Sequence, residues 1–349
     1  MNRTKLSDRF NRAINDAGQI YIIAEVGTTC GGEIDKARRL IKAAADAGVD
    51  AIKFQLIDPT QVTDEKLMYP VITHGAITHV SMRKMFEKLQ FSKESWREIK
   101  QTCNEYEIDF FATVDFIEGV ELLEDIDVFV HKIGAWDITY RPLIDAIGRT
   151  GKPMFVDLGP ATQSEVDEAV DWYLQAGGEM VLFMHDFHTL NEDQMNLRAI
   201  KYLNARYSWP VGFSSPGRDD DLDLAALALG SAYLEKRLIL SRSEFSFHSH
   251  ESLEPDEFMK WVSRIRRVER ALGRPQIEPS DEDRKGKLAY YRSICTLHEV
   301  KAGEIFTQEN LGGCRPGGGI PTKRLGEIYG CIAAREFQKG YLIREGDFL

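Results

Sequence analysis

The stretch Tyr21-Ile22-Ile23-Ala24-Glu25-Val26-Gly27 decides how the rest of the chain is read. It is a continuous apolar run, the pattern of a strand buried on both faces. It delivers one carboxylate, Glu25, at its C-terminal end, and Gly27 and the Gly31-Gly32 pair then turn the chain. Residues 34–47 carry apolar side chains at helical spacing, and Gly48 stops that helix. Ala51-Ile52-Lys53-Phe54-Gln55 reads as a second strand. Strand, helix and strand in so few residues predict a right-handed βαβ unit and a parallel sheet.

The unit recurs. Further strands are predicted at 109–113, 128–133, 154–158, 180–184, 210–213 and 232–240, with helical patterns between them at 163–175, 192–204, 221–229 and 256–272. Eight strands alternating with helices in about 270 residues is the size and rhythm of a (β/α)8 TIM barrel. An open doubly wound sheet would need a phosphate loop after its first strand, and Gly27-Thr28-Thr29-Cys30-Gly31-Gly32 does not match G-x-G-x-x-G. In a barrel, groups at the C-terminal strand ends face the active site, which singles out Glu25 and Lys53 and their counterparts on later strands. Residues 56–92 break the rhythm; a loop of that length at this face is expected to cover the site.

A chain of 349 residues exceeds what one core normally serves, so two domains are expected. The division predicted is a barrel at 1–272, a linker rich in Pro, Asp and Glu at 273–288, and a small, mostly β domain at 289–349 centred on Arg315-Pro316-Gly317-Gly318-Gly319-Ile320. The net charge of −11 argues against nucleic acid as a partner. Segment 286–349 carries 9 basic and 7 acidic residues against 35 and 48 in the rest, a weakly basic module beside an acidic body. No apolar run reaches the roughly 20 residues of a membrane helix. Residues 1–15 lack an apolar signal-peptide core. The five scattered cysteines suit neither a disulfide framework nor a zinc site, so a cytoplasmic protein is expected.

These residues together resemble the sialic acid synthase family, including its spore coat polysaccharide biosynthesis protein E subgroup. The resemblance rests on 22–27 and 51–55, on Lys132-Ile133-Gly134 and Pro142-Leu143-Ile144, on Gly151-Lys152-Pro153 and on Ser252-Leu253-Glu254-Pro255. At the end of the chain, Lys301-Ala302-Gly303-Glu304, Asn310-Leu311 and 315–320 look like the antifreeze-like (SAF) domain of that family. The resemblance implies condensation of phosphoenolpyruvate with the open-chain aldehyde of an N-acetylated sugar, aided by a divalent manganese or magnesium ion. It also implies a domain-swapped homodimer in which Arg315 caps the partner's sugar site. Lys53 and Lys132 match the family's ligands for phosphate and carboxylate, and Thr113 and Ser214 match its phosphoenolpyruvate-binding hydroxyls. Glu25, Gln55 and Asp137 are the acid–base candidates, Asp137 standing where the family has Glu.

The chain also departs from that pattern. Thr29-Cys30 replaces an Asn-His pair, and the family's two metal histidines fall on Pro216 and Arg237. Ala135 and Asp157 replace serines beside the phosphate, and His248 replaces a sugar-binding Asp. Histidines cluster instead at His185-Asp186-Phe187-His188 and His248-Ser249-His250, which predicts an alternative metal set of His185, His188 and His250. Arg237 as a fixed charge near the aldehyde is the alternative that needs no metal. Two other functions stay open: an aldolase or lyase using Lys53 or Lys132 as a Schiff-base amine, and a catalytically silent sugar-binding barrel.

Overall fold

The computed structural model describes residues 8–15, 19–73, 76–186, 191–244 and 246–349. They form two compact units, Met1–Arg274 and Pro275–Leu349. The strand series of the first opens with β1 (Tyr21–Glu25) and β2 (Ala51–Leu56), followed by a hairpin of β3 (Met68–Thr73) and β4 (Ala76–Ser81). It continues with β5 (Asp109–Val114), β6 (His131–Ile133), β7 (Met154–Asp157), β8 (Val181–Asp186), β9 (Val211–Ser214) and β10 (Tyr233–Arg237). All but the hairpin close into one barrel in the order β1-β10-β9-β8-β7-β6-β5-β2. Each strand runs parallel to its neighbours, and β1 pairs with both β2 and β10. The eight expected strands and the TIM-barrel class are therefore observed.

Strand alternation splits the apolar residues into two layers. Inward-facing Tyr21, Ile23, Phe111, Phe155, Met184 and Tyr233 fill the lower barrel. Phe10, from a helix at Asp8–Asn15, lies edge-on to Tyr21 at 5.2 Å and Phe155 at 5.9 Å. That helix closes the N-terminal end, as the mixed polar character of 1–15 did not foretell. Outward-facing Ile22, Ala24, Ile52, Phe54, Phe110 and Phe183 pack against the helical shell. Filled below, the barrel is polar only toward its C-terminal mouth.

The excursion expected at 56–92 contains the β3–β4 hairpin and short helices at Pro59–Val62 and Met82–Glu87. Tyr69 lies edge-on to Phe247 of the segment after β10 at 5.2 Å, and Phe86 lies tilted against the same ring at 5.6 Å. The loops that follow the second and last barrel strands thus pack together at the C-terminal end, because barrel closure makes them near neighbours.

One ionic network belongs to the shell. Lys236, outward on β10, is fully buried with Asp223 at 2.8 Å. It also donates to Ser215 Oγ at 2.5 Å and to the Asp219 carbonyl at 2.8 Å, and Trp261 Nε1 donates to Asp223 at 2.9 Å. The network ties the loop after β9 to β10 and to the helix Pro255–Leu272.

In the second unit, β11 (Ser293–Thr296) pairs antiparallel with β12 (Leu311–Cys314). Ile294, Val300, Phe306, Leu311, Ile328, Phe337 and Ile343 form its core. The expected linker is more ordered than its composition suggests. Residues Asp281–Tyr290 are helical, started by a reciprocal cap between Ser280 and Asp283. The cysteine expectation is also corrected: Cys295 and Cys314 are paired, with Cα atoms 6.0 Å apart. The β11–β12 register, in which Cys295 faces Gly312 and Cys314 faces Ser293, puts the two cysteines diagonally two rungs apart, a proximity that spacing in sequence does not reveal. Among the described residues no helix is long and apolar enough to cross a membrane.

Removing Asp223 leaves a buried ammonium without its counterion, which typically costs about 3–5 kcal/mol. Asp223→Ala is expected to lose that much in equilibrium urea unfolding; a loss below about 1 kcal/mol would show that the pair does not hold the shell.

Candidate active site

Backbone register builds the mouth. Across β2, β1 and β10 one rung carries Lys53, Glu25 and Arg237. Across β2, β5 and β6 another carries Gln55, Thr113 and Lys132. Across β8, β9 and β10 a third carries Asp186, Ser214 and Glu235. Seven of the expected residues, Glu25, Lys53, Gln55, Thr113, Lys132, Ser214 and Arg237, are therefore brought to one ring.

The ring centres on a residue that sequence reasoning missed, Glu235. Its Oε1 accepts from Lys53 Nζ at 2.8 Å and from Ser214 Oγ at 3.1 Å, and its Oε2 accepts from Lys132 Nζ at 3.0 Å. Lys53 also pairs with Glu25 Oε2 at 2.5 Å, and Lys132 with Asp157 Oδ1 at 2.8 Å. Lys132 is 0% exposed. The signal for Glu235 was present: Tyr233, Glu235 and Arg237 share one phase of the strand alternation.

Glycine is required beside this ring. Glu25 Oε1 accepts from the Gly27 amide at 2.7 Å, and a β-carbon on Gly27 would lie 2.6 Å from that oxygen and 2.8 Å from Gln55 Cβ. The tight turn thus fixes the carboxylate that fixes Lys53.

Burial sets the charge states. It pulls the Lys53 ammonium down to about 8, with Glu235 opposing and Lys132 adding to the fall. Burial also acts to lower Lys132, but Asp157 and Glu235 overcome it and hold that ammonium above its ordinary range. Burial would raise Glu235, yet the two lysines keep its carboxylate at about 2. Three further carboxyls are raised chiefly by burial: Asp137 to about 6, Asp186 to about 7 with Asp157 adding to it, and Asp115 to about 8. Asp115, just beyond β5, hydrogen-bonds the Gln55 side chain and feels Asp137. It was not foreseen, since it lies two residues past the last residue expected of that strand. The mouth thus joins two lysines, the ionised Glu235 and three carboxyls that burial raises toward neutral pH.

The histidine expectation is corrected. β8 runs through Asp186 rather than stopping at Met184, so alternation sends Asp186 inward and His185 outward. His185 Nε2 meets the Met195 carbonyl at 2.9 Å, its ring is 6.2 Å from that of Phe213, and burial lowers its pKa. His188 lies outside the described residues. His250 is exposed, its Nε2 3.3 Å from Glu251 Oε1, while His248 Nδ1 is 3.7 Å from Glu251 Oε2. Among the described residues no group of three His, Cys, Asp or Glu could hold a metal ion. Pro216 offers no side-chain donor, and Arg237 is bound at 2.8 Å to Glu251. The residues present do not fit a divalent metal in the manner the resemblance implied. Arg315 belongs to the second unit, where its Nε donates to the Tyr290 carbonyl at 2.7 Å.

A closed parallel barrel with charged groups gathered on its strand ends is the architecture of a (β/α)8 enzyme. The chain belongs to the NeuB family, whose match spans residues 40–276. It is 29% identical to N,N'-diacetyllegionaminic acid synthase of Campylobacter jejuni over 93% of this chain and 98% of that one. It is 27% identical to the spore coat polysaccharide biosynthesis protein SpsE of Bacillus subtilis, covering 88% and 86% respectively. The solved N-acetylneuraminic acid (sialic acid) synthetase of Leptospira borgpetersenii matches with a TM-score of 0.68 at 27% identity, over 77% of this chain and 90% of that one.

Asp115 has a folded-state pKa of about 8 against an ordinary value of 3.8. A raised carboxyl contributes stability that is present at low pH and lost as pH rises through the folded value. Asp115→Asn removes this penalty, so its benefit should grow between pH 4 and pH 8 by up to about 1.4 kcal/mol per pH unit and then level off. Urea unfolding at several pH values reads it; a benefit that does not change with pH would contradict the assignment.

Proposed function

We propose that the chain is a sugar-acid synthase that condenses phosphoenolpyruvate with the open-chain aldehyde of an N-acetylhexosamine-type sugar. The observation that carries this reading is the pair of buried lysines, Lys53 and Lys132, meeting at one carboxylate inside a family barrel. Two ammonium groups a single anion apart suit a small substrate that bears both phosphate and carboxylate. Thr113, on the rung of Lys132, and Ser214, bonded to Glu235, supply hydroxyls beside them.

In this reading the enol π pair of C3 attacks the aldehyde carbon, and the carbonyl π pair becomes an alkoxide. A carboxyl that burial raises toward neutral pH, Asp115 or Asp137, protonates the alkoxide. Water adds to the oxocarbenium carbon at C2 and loses a proton, for which Glu25 is the candidate acceptor. The adduct collapses to the keto acid and inorganic phosphate. Asp157 beside Lys132 marks a phosphate pocket unlike the family's, because the substrate must share that lysine with a fixed carboxylate. We infer further that the second unit is a SAF-type domain and that Arg315 reaches the sugar site of a partner in a homodimer.

The lowered Lys53 ammonium favours one second reading, a Schiff-base aldolase or lyase. Borohydride reduction with pyruvate present would then add a stable mass to Lys53; an unmodified peptide removes this reading.

Phosphate release from phosphoenolpyruvate, followed across a panel of aldehyde sugars, tests the main proposal. Lys53→Met and Lys132→Met are each expected to lower kcat/KM by roughly 10- to 100-fold, the loss of one charge-assisted contact. Variants with undiminished turnover would sink the assignment of the two lysines.

A further inference from the structure

Arg237 ends β10 in the inward phase, on the rung of Glu25 and Lys53. Its Nη1 donates to Glu251 Oε2 at 2.8 Å, and its side chain stays 26% exposed. Glu251 closes the short turn Ser249–Glu251, held back by its own amide on the His248 carbonyl. A guanidinium carries five N–H donors and keeps its charge at every working pH. Among the described residues Glu251 takes one of the five, so the group is anchored while most of its donors remain for a ligand.

This arrangement opposes a metal ion at the same place. A guanidinium has no lone pair to give, and its charge repels a dication. We propose that Arg237, braced by Glu251, is itself the electrophile of the reaction: it donates to the acceptor's carbonyl oxygen and stabilises the alkoxide, so the condensation runs without a divalent cation. The proposal rests on the synthase reading above. As the C–C bond forms, the carbonyl π pair moves onto the oxygen that Arg237 holds. A carboxyl of the mouth then protonates that oxygen, and phosphate leaves with the electron pair of its C2–O bond after water has added. The guanidinium neither gains nor loses a proton. Charge stabilisation of this kind is largest where donors are fixed beforehand, and the Glu251 contact supplies that fixing.

Metal binding, metal dependence of turnover and two variants of the full chain test it. Manganese titrated into the protein should leave the electron-paramagnetic signal of the free ion undiminished, whereas loss of one equivalent overturns the proposal. Phosphate release with the sugar panel should be equal in EDTA and in added manganese. Arg237→Gln should lower kcat by about 100-fold or more with phosphoenolpyruvate affinity, read by calorimetry, unchanged. Arg237→Lys keeps the charge and guards against loss of folding; it should retain at least about a tenth of kcat. Turnover that needs manganese, or Arg237→Gln with undiminished kcat, overturns the electrophile role alone. Phosphate release in neither condition overturns the synthase reading and this proposal with it.

Discussion

Two ammonium groups sit in the barrel interior because one carboxylate sits between them. Lys53 and Lys132 come from strands that are not neighbours, and both reach Glu235. Without that anion, Lys53 would keep only Glu25 and Lys132 only Asp157 against burial and mutual repulsion. With it, the two behave differently: Lys53 falls while Lys132, gripped also by Asp157, rises. Much of the mouth follows from this shared contact. Ser214 is oriented by the same carboxylate, and Glu25 is oriented by Lys53 and the Gly27 amide.

Strand alternation is the second constraint, and it divides similar residues into different roles. On β10, Glu235 and Arg237 face inward while Lys236 faces the shell, where it is neutralised by Asp223. On β6, Lys132 faces inward while His131 faces outward to Glu124 at 2.7 Å. On β8, Asp186 and His185 divide the same way. Charge on a strand is therefore no guide to function until its phase is known.

That is why the fold was more legible than the site. Apolar runs and glycine stops reported the strands, since burial on both faces demands them. Glu25 and Lys53 were legible because they end clean apolar runs. The residues 232–240 were the least clear because Glu235-Lys236-Arg237 interrupts the run, yet that interruption is where the ring's central carboxylate and its arginine lie. His185 misled because its strand extends two residues beyond the apolar run, and successive residues of a strand point to opposite faces, which sends His185 outward and Asp186 inward. The Cys295–Cys314 pairing depended on an antiparallel register that spacing does not encode.

Glu235 arrives on the last barrel strand, and this bears on how the protein is made. A nascent chain that ends before β10 holds Lys53 and Lys132 but not the carboxylate they share, and β1 lacks one of its two partners. Such a fragment has an open edge and an interior that resists dehydration. The final strand supplies the missing hydrogen bonds and the missing charge in one step, joining segments some two hundred residues apart. Barrel closure and assembly of the reactive ring are then a single cooperative event, so a truncated or stalled chain is left without the scaffold and without the chemistry together.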